Sequence, residues 1–327
     1  MHSGEFTAFE VFKTITDTRY AVHGHPTCLE HVPDRLECDM TAKAEIPRRP
    51  LGKTGKTVTI FGLGGEGVLR TYGCENEAAS VIQRALDLGV NYFDSAPAYS
   101  GCLDYLGASL GNRRREIFLA SKTHDRTRDG SLRLLDETLR RLNTDYLDLW
   151  QLHDLRTKQD LDQIFGPDGA LQALLEAAAD GRVRFLGITG HHDPAMLTEA
   201  MRRFDFDTVL VALNAADRHR LSFLETVLPE AAEREMGVVA MKVYSQGALV
   251  KPGGLAPRDA VGYVLSQPGV STAIIGCRTP AEVEENVRIA CAFSAVDPQT
   301  LANVEAATAP HAAALTRYKK MPLLSLE

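Results

Sequence analysis

Short apolar runs alternate with amphipathic segments along most of this chain. Residues 58–64, 90–93 and 146–152 are runs of this kind, and they predict buried strands. Between them apolar side chains recur at helical spacing, as in residues 75–88. Alternating strands and helices are typical of a parallel α/β fold, and eight such units predict a (β/α)8 TIM barrel.

The predicted barrel accounts for most of the 327 residues. Its strands are predicted over residues 58–64, 90–93, 117–121, 146–152, 183–188, 209–213, 238–243 and 272–275. A turn at 52–56 indicates an N-terminal hairpin that closes the barrel bottom, residues 154–168 are a predicted polar loop, and 298–311 form an extra C-terminal helix. The predicted domains are an irregular extension (1–48), the barrel (49–318) and a C-terminal tail (319–327).

Composition and charge narrow the class of protein. With 44% hydrophobic and 24% charged residues, the chain is typical of a soluble globular enzyme. Its net charge of -7 argues against a nucleic-acid surface. No apolar stretch approaches the roughly 18 residues that span a bilayer, and no signal peptide is recognisable. The six cysteines form no disulfide framework, which favours a cytoplasmic protein with reduced thiols.

Four residues carry the candidate chemistry. Asp94, Lys122 and His153 each follow an apolar run directly, and Tyr99 lies five residues past Asp94. Because the carboxyl ends of barrel strands share one mouth, where active sites form, we expect these side chains to converge. Each residue alone has a structural interpretation, as an ion pair, a packed ring or a core histidine. Their joint placement favours function.

The expected chemistry is proton delivery to a carbonyl oxygen as hydride reaches its carbon. Tyrosine has an ordinary pKa of about 10, and a nearby cation such as Lys122 is expected to lower it. Asp94 can pair with Lys122 and keep the ammonium charged. His153 can hydrogen-bond the substrate oxygen from the other side.

Three segments resemble the catalytic segments of the aldo-keto reductase family. They are Asn91-Tyr92-Phe93-Asp94-Ser95-Ala96-Pro97-Ala98-Tyr99, Phe118-Leu119-Ala120-Ser121-Lys122 and Leu147-Asp148-Leu149-Trp150-Gln151-Leu152-His153. The similarity extends over residues 49–286. The resemblance implies an (α/β)8 barrel, a nicotinamide cofactor and a catalytic tetrad of Asp94, Tyr99, Lys122 and His153, with Tyr99 as general acid.

The resemblance also implies cofactor contacts, with departures from the family pattern. The carboxamide positions, usually Ser-Asn and a glutamine, are Thr189, Gly190 and Asn214 here, and Met241 replaces the aromatic ring that stacks on the nicotinamide. Lys242 is expected at the pyrophosphate. The remaining positions implied for the cofactor are Gly276, Arg278, Glu282, Glu285 and Asn286.

The expected cofactor is NADP, with NAD left open. Arg278 offers a planar cation suited to a 2′-phosphate. Glu282 would repel that phosphate and could instead accept a hydrogen bond from a ribose hydroxyl. The two side chains therefore point to different cofactors.

Two other functions are also compatible with the sequence. A metal-dependent hydrolase on the same barrel could draw its ligands from Asp94, His153, His191, His192, Asp217 and His219. A non-catalytic nicotinamide-binding redox sensor or regulatory barrel is the second alternative. We nevertheless expect no metal, because no ligand spacing matches a standard site; His23-x-His25-x-x-Cys28 also does not.

The expected partner is a small carbonyl compound or sugar, with no nucleic acid and no membrane. The loops 154–168 and 214–222 and the C-terminal residues 309–327 are expected to line the pocket. Four cations in these loops suggest a polar or acidic substrate, although exposed loop charges explain them equally well: Arg156, Lys158, Arg218 and Arg220. Oligomeric state and physiological direction are left open.

Overall fold

The computed structural model describes residues 45–319, which form a closed barrel of eight parallel strands. The strands are β3 (Phe61–Gly67), β4 (Tyr92–Asp94), β5 (Phe118–Thr123), β6 (Leu147–Leu152), β7 (Val183–Gly190), β8 (Thr208–Ala212), β9 (Gly237–Met241) and β10 (Val270–Cys277). Each strand pairs with the next in sequence, and β10 closes on β3. The predicted TIM barrel is confirmed.

Helices connect the strands and shield the outside of the barrel. They are α1 (Glu75–Asp87), α2 (Cys102–Leu110), α3 (Arg128–Leu142), α4 (Lys158–Ile164), α5 (Ala170–Ala179), α6 (Pro194–Arg203), α7 (Phe223–Glu233), α8 (Pro257–Leu265), α9 (Pro280–Cys291), α10 (Pro298–Thr308) and α11 (Ala312–Leu315). In α1 the face that carries Val81, Ile82 and Ala85 is fully buried, as its spacing predicts. None of the helices in residues 45–319 is long and apolar enough to cross a membrane.

A two-stranded hairpin closes the barrel bottom, as the sequence predicts. It comprises β1 (Arg48–Pro50) and β2 (Thr57–Thr59), which pair antiparallel. Leu51 and Val58 pack with Tyr92 and Phe118 in the barrel interior. The predicted first strand, residues 58–64, is therefore wrong in its bounds, because Val58 belongs to the hairpin and the barrel strand begins at Phe61. Apolar residues lie on both sides of the break between hairpin and barrel strand, so the hydrophobic pattern of the sequence does not show where the barrel strand begins.

Helix α4 lies within the segment that was predicted to be a polar loop. Thr157 accepts a hydrogen bond from the backbone N–H of Asp160, and the Asp160 carboxylate accepts one from the backbone N–H of Thr157. This reciprocal capping box starts the helix. The Thr-x-x-Asp spacing is visible in the sequence and was the signal for this helix.

The C-terminal end of the described chain is anchored to the loop after β8. The buried Lys319 ammonium pairs with the buried Asp217 carboxylate and also donates to the carbonyl oxygens of Arg220 and Leu221. Breaking a buried pair of this kind leaves an uncompensated charge. Lys319, which was assigned to the tail, is thus packed against the barrel. Most of the predicted extension (1–44) and the tail beyond Lys319 (320–327) lie outside the described residues.

We expect that removing residues 1–44 leaves the melting temperature of the barrel unchanged. The reason is that the sequence of residues 1–44 lacks the periodicity of a core element, whereas Ile46 near the start of the described residues is 3% exposed and packs in the core. As a matched comparison, removal of residues 1–50 also deletes Ile46 and the Arg49 guanidinium, which donates to the carbonyl oxygens of Leu265 (2.9 Å) and Val270 (2.7 Å). That chain should lose about 3 kcal/mol or more of unfolding free energy. Thermal melting of the three chains checks this, and a large drop for the first deletion contradicts it.

Candidate active site

The structure brings the four candidate residues together at the carboxyl end of the barrel. Asp94 is the last residue of β4, Lys122 lies near the end of β5, and His153 follows β6. The backbone N–H of His153 donates to the carbonyl oxygen of Thr123, which keeps the ends of β5 and β6 side by side. Tyr99 lies on the loop between β4 and α2, above the same mouth.

A buried ion pair lies at the base of this group. The Lys122 Nζ is 2.5 Å from Asp94 Oδ2, and the two side chains are 1% and 2% exposed. Lys122 also donates to the carbonyl oxygen of Ser95 at 2.9 Å. Burial raises the pKa of Asp94, and the Lys122 ammonium opposes that rise. The pair therefore fixes a positive charge in a site that is shielded from water.

Tyr99 is held between this charge and His153. The Lys122 Nζ is 4.8 Å from the centre of the Tyr99 ring, and the His153 ring meets the Tyr99 ring edge-on at 5.8 Å between centroids. Below the ring, Gly65 leaves room for it, because a Cβ at this position would lie 2.8 Å from Tyr99 Cδ2. The glycine thus permits the close approach of β3 to the tyrosine.

The proton states differ from the sequence expectation at Tyr99. Burial, together with the nearby carboxylates of Asp94 and Glu66, raises the pKa of Tyr99 well above its ordinary value. This direction is opposite to the expected lowering, because loss of hydration and the nearby carboxylates outweigh the cation that opposes them, Arg70. Loss of hydration also lowers the pKa of His153 to about 2, with Lys122 adding in the same direction. At neutral pH the tyrosine therefore keeps its proton and the imidazole is uncharged.

Two adjoining grooves open at this mouth. The first, of about 480 Å³, extends from Asp94 and Tyr99 to the N-terminus of α9, and the second, of about 380 Å³, surrounds Tyr99, Lys122 and His153. Both volumes lie within the range of small-molecule sites. The residues common to both grooves are Glu66, Tyr99, Met241, Lys242 and Gln246.

Most of the residues implied for the cofactor line these grooves. Met241 and Lys242 border both, and Thr189 lines the second. Along the first groove lie Gly276, Arg278, Glu282, Glu285 and Asn286. A continuous channel thus joins the tetrad to the start of α9.

Two of the implied positions lie outside both grooves. Gly190 faces α6, where an added Cβ would lie 3.0 Å from Leu197 Cγ. Asn214 is fully buried, and its amide donates to the Tyr318 hydroxyl (2.7 Å) and to the carbonyl oxygen of Lys242 (3.1 Å). The C-terminal segment therefore engages the amide group that the resemblance assigned to the nicotinamide. No residue of 214–222 lines either groove, whereas Tyr318 lines the second.

The start of α9 forms the far end of the first groove. The Thr279 hydroxyl caps the helix by accepting from the backbone N–H of Glu282. The Glu282 carboxylate in turn accepts from the backbone N–H of Arg278 at 2.7 Å. Two opposing influences on a phosphate, the positive end of the helix and a fixed carboxylate, thus lie side by side.

Glu66 is a site residue that the sequence reasoning missed. Its carboxylate lies 3.0 Å from Lys242 Nζ and 3.1 Å from an Arg70 guanidinium nitrogen, so it links β3 to the loop after β9. Burial by itself raises the pKa of Glu66, but the charges of Lys242 and Arg70 lower it by more. The net shift of the Glu66 pKa is therefore downward. The sequence feature that could have identified Glu66 is its position in the glycine-rich end of the first barrel strand, which lies at the mouth of the barrel.

The loops at the mouth are also strained. Asp154 (φ 55°), Lys242 (φ 58°) and Gln246 (φ 56°) all adopt the left-handed backbone conformation and all line a groove. Such conformations cost about 1–3 kcal/mol each in residues other than glycine and cluster at functional sites. Asp154 is held in place by its backbone N–H, which donates to the Thr189 hydroxyl at 2.8 Å.

The ligand set of the metal-hydrolase alternative is not assembled. Asp94 pairs with Lys122, and Asp217 pairs with Lys319. A different group, Asp154 with His191 and His192, is the one His, Cys, Asp or Glu cluster in residues 45–319 that could hold a metal ion. It lies at the rim of the second groove.

Comparison with known proteins identifies the family. A sequence model described as "Aldo/keto reductase family" matches residues 60–258, more than half of the chain. The chain belongs to the aldo/keto reductase family. It is therefore an oxidoreductase, and members of this family use nicotinamide cofactors.

Individual relatives agree with this assignment. L-galactose dehydrogenase of Arabidopsis thaliana is 28% identical over 314 residues, covering 81% of this chain and 95% of the relative. The uncharacterized oxidoreductase YqkF of Bacillus subtilis is 26% identical over 292 residues, covering 74% and 90%. The solved structure of aldo-keto reductase AKR11C1 from Bacillus halodurans matches with a TM-score of 0.69 at 22% identity, covering 80% of this chain and 96% of that chain. The structural likeness supports the barrel fold.

The unusual proton state of His153 predicts an acid limb in the stability profile. Its pKa of about 2 in the folded chain lies far below the value of about 6.5 for an unfolded histidine. Between these values the unfolded chain binds a proton that the folded chain excludes, so stability falls as pH drops below about 6.5, by up to about 1.4 kcal/mol per pH unit. We expect His153→Asn to flatten this decline in urea unfolding between about pH 7 and about pH 5.

His219→Asn is the control, because His219 is exposed and lines neither groove. This variant should keep the wild-type decline. His191, whose pKa burial lowers to about 4, contributes in the same direction, so the slope of His153→Asn should be reduced and not abolished. Identical slopes for His153→Asn and wild type would contradict the assignment of a neutral, poorly hydrated imidazole.

Proposed function

We propose that this chain reduces an aldehyde or ketone group of a small molecule, or oxidises the matching alcohol or sugar, by hydride transfer with Tyr99 as general acid. The observation that carries the proposal is the placement of the Tyr99 ring between the Lys122 ammonium and the His153 imidazole, where the two grooves join. One groove can hold the hydride carrier and the other the carbonyl compound.

The first groove suits a nicotinamide dinucleotide. Met241 and Ile274 give it apolar surface, and Arg278 and the N-terminus of α9 offer positive charge to a phosphate. When bound there, a nicotinamide cofactor supplies hydride for reduction or accepts it in the reverse direction. Lys242, which is paired with Glu66, also lines this groove.

The side chains of the tetrad then handle the proton. In reduction the carbonyl carbon gains hydride, and the carbonyl oxygen takes the proton from the Tyr99 hydroxyl to give the alcohol. The phenolate left on Tyr99 is stabilised by the Lys122 ammonium 4.8 Å from the ring centre, and it regains a proton from water. Asp94 holds the ammonium in place, and the neutral His153 can donate one N–H to the substrate oxygen.

The second groove favours a small hydroxylated carbonyl compound or sugar. Its rim offers hydrogen-bonding groups that include His124, Arg126, Asp154, Arg156 and His191. Such groups match the several hydroxyls of a sugar, because a buried polar group needs a partner. One relative is named for oxidation of a sugar, L-galactose.

We expect Tyr99→Phe to lower the carbonyl-reduction rate by about 10²–10⁴-fold, because it removes the proton donor and leaves the ring. Cofactor affinity should stay near that of wild type. Tyr72→Phe is the matched control, since Tyr72 is 76% exposed and lines neither groove. Steady-state rates and cofactor titrations of the three proteins are the measurements.

Each result has a clear meaning. Near-wild-type turnover of Tyr99→Phe would show that the tyrosine is not the acid. Tight cofactor binding by the wild type without turnover of any aldehyde, ketone or sugar would favour the non-catalytic sensor instead.

We further propose NADP as the preferred cofactor, through Arg278. On this basis Arg278→Ala should weaken NADP binding about 10- to 100-fold and NAD binding much less, since a hydrogen bond to a charged group contributes about 1.5–3 kcal/mol. Glu282→Gln should move the preference further toward NADP, because it removes a charge but keeps an oxygen that can accept from the Arg278 N–H. Titration of both cofactors decides. Equal losses in Arg278→Ala would mean that the arginine does not read the 2′-phosphate.

A further inference from the structure

We propose that Asp154, His191 and His192 form a binding site for a zinc-class transition-metal ion at the rim of the second groove, and that an ion bound there inhibits the enzyme. The three residues follow neighbouring strands, Asp154 after β6 and the histidines after β7. Each offers one ligand atom, and these atoms lie within 4.8 Å of one another.

The geometry suits one metal ion. His191 Nδ1 is 3.2 Å and His192 Nε2 is 3.9 Å from the same oxygen, Asp154 Oδ1. Zinc–nitrogen bonds of about 2.0–2.1 Å place tetrahedral ligand atoms about 3.3 Å apart. The first separation already matches, and a small rotation of the His192 side chain, which is 27% exposed, would close the second.

The electron pairs needed for coordination are available. Asp154 Oδ1 is buried and has no hydrogen-bond partner besides the two histidine nitrogens that lie against it, whereas Oδ2 accepts from Arg156 at 2.6 Å. Each histidine presents one ring nitrogen toward the same carboxylate oxygen, so each can offer a lone pair to one ion.

The surrounding residues hold the ligands in place. The Asp154 carbonyl oxygen accepts from Arg126 at 2.9 Å, and its backbone N–H donates to Thr189, so the strained backbone of this residue is fixed from both sides. Outer contacts of this kind orient metal ligands and raise affinity. The catalytic tetrad does not supply any of the three ligands.

The ligand atoms, two nitrogens and one carboxylate oxygen, indicate which metal binds, and their position indicates how the ion would inhibit the enzyme. Imidazole ligands suit zinc and its neighbours, whereas magnesium prefers an all-oxygen shell. Asp154 and His191 both line the second groove, so a bound ion, which keeps an open coordination position, would occupy space needed by the substrate. Zinc should therefore raise the apparent KM for the carbonyl compound without lowering kcat.

Zinc titration of the full chain, freed of metal with EDTA, tests the site directly. Wild type should bind one more equivalent of zinc than the His191→Asn/His192→Asn double variant. Asp154→Asn should weaken that equivalent at least about tenfold, since even outer contacts are worth about 10- to 100-fold. The control His219→Asn should bind as wild type does, and magnesium should not compete. Melting curves without zinc establish that the variants are folded.

The stoichiometry separates this site from other ligands of the chain, such as His23, His25 and Cys28. Equal zinc stoichiometry and affinity in wild type and the double variant would overturn the proposal. The inhibition arm alone rests on the proposed carbonyl reduction. In the inhibition experiment each protein is compared with its own rate without zinc, and the zinc-dependent rise in KM should vanish in the double variant. A rise in KM that persists in the double variant would also overturn the proposal. If the chain proved inactive, the titration would still decide the metal site.

Discussion

The buried ion pair between Lys122 and Asp94 is the constraint on which the site depends. Its partners are 1% and 2% exposed and 2.5 Å apart, so neither charge can be satisfied by water. Removing one partner of such a pair typically costs about 3–5 kcal/mol. The pair forms only because β4 and β5 are adjacent and parallel, with Asp94 in register with Ala120 and Lys122 two residues farther along. The packing of the barrel thus stabilises one buried cation beside the Tyr99 ring.

The Lys122 ammonium lies in a site from which water is largely excluded. Burial keeps the proton on Tyr99 and keeps the His153 imidazole uncharged at neutral pH. Electrostatic effects are stronger where water is excluded, and a group arranged in advance needs no reorganisation during reaction. The same loss of hydration that raises the pKa of Tyr99 strengthens the electrostatic interaction of any charge near it with the Lys122 ammonium.

The loops around the tetrad divide the mouth between two tasks. The Glu66–Lys242 pair crosses from β3 to the loop after β9 and borders both grooves. On the other side, Asp154 is held in a left-handed conformation immediately after His153. Two ligands can therefore approach Tyr99 from different grooves. His191 lines the second groove, where a bound metal ion would compete with the proposed carbonyl substrate and leave the first groove open.

The sequence by itself determined the barrel and the convergence of Asp94, Lys122 and His153, because hydrophobic periodicity is local and parallel strands share one carboxyl edge. Tertiary structure alone decided how each side chain is used. Asn214 binds Tyr318, 104 residues away, and Glu66 pairs with Lys242, 176 residues away. The direction of the Tyr99 pKa shift likewise depends on burial by many residues. Partners and hydration are properties of the packed chain, and neither can be read from spacing along the sequence.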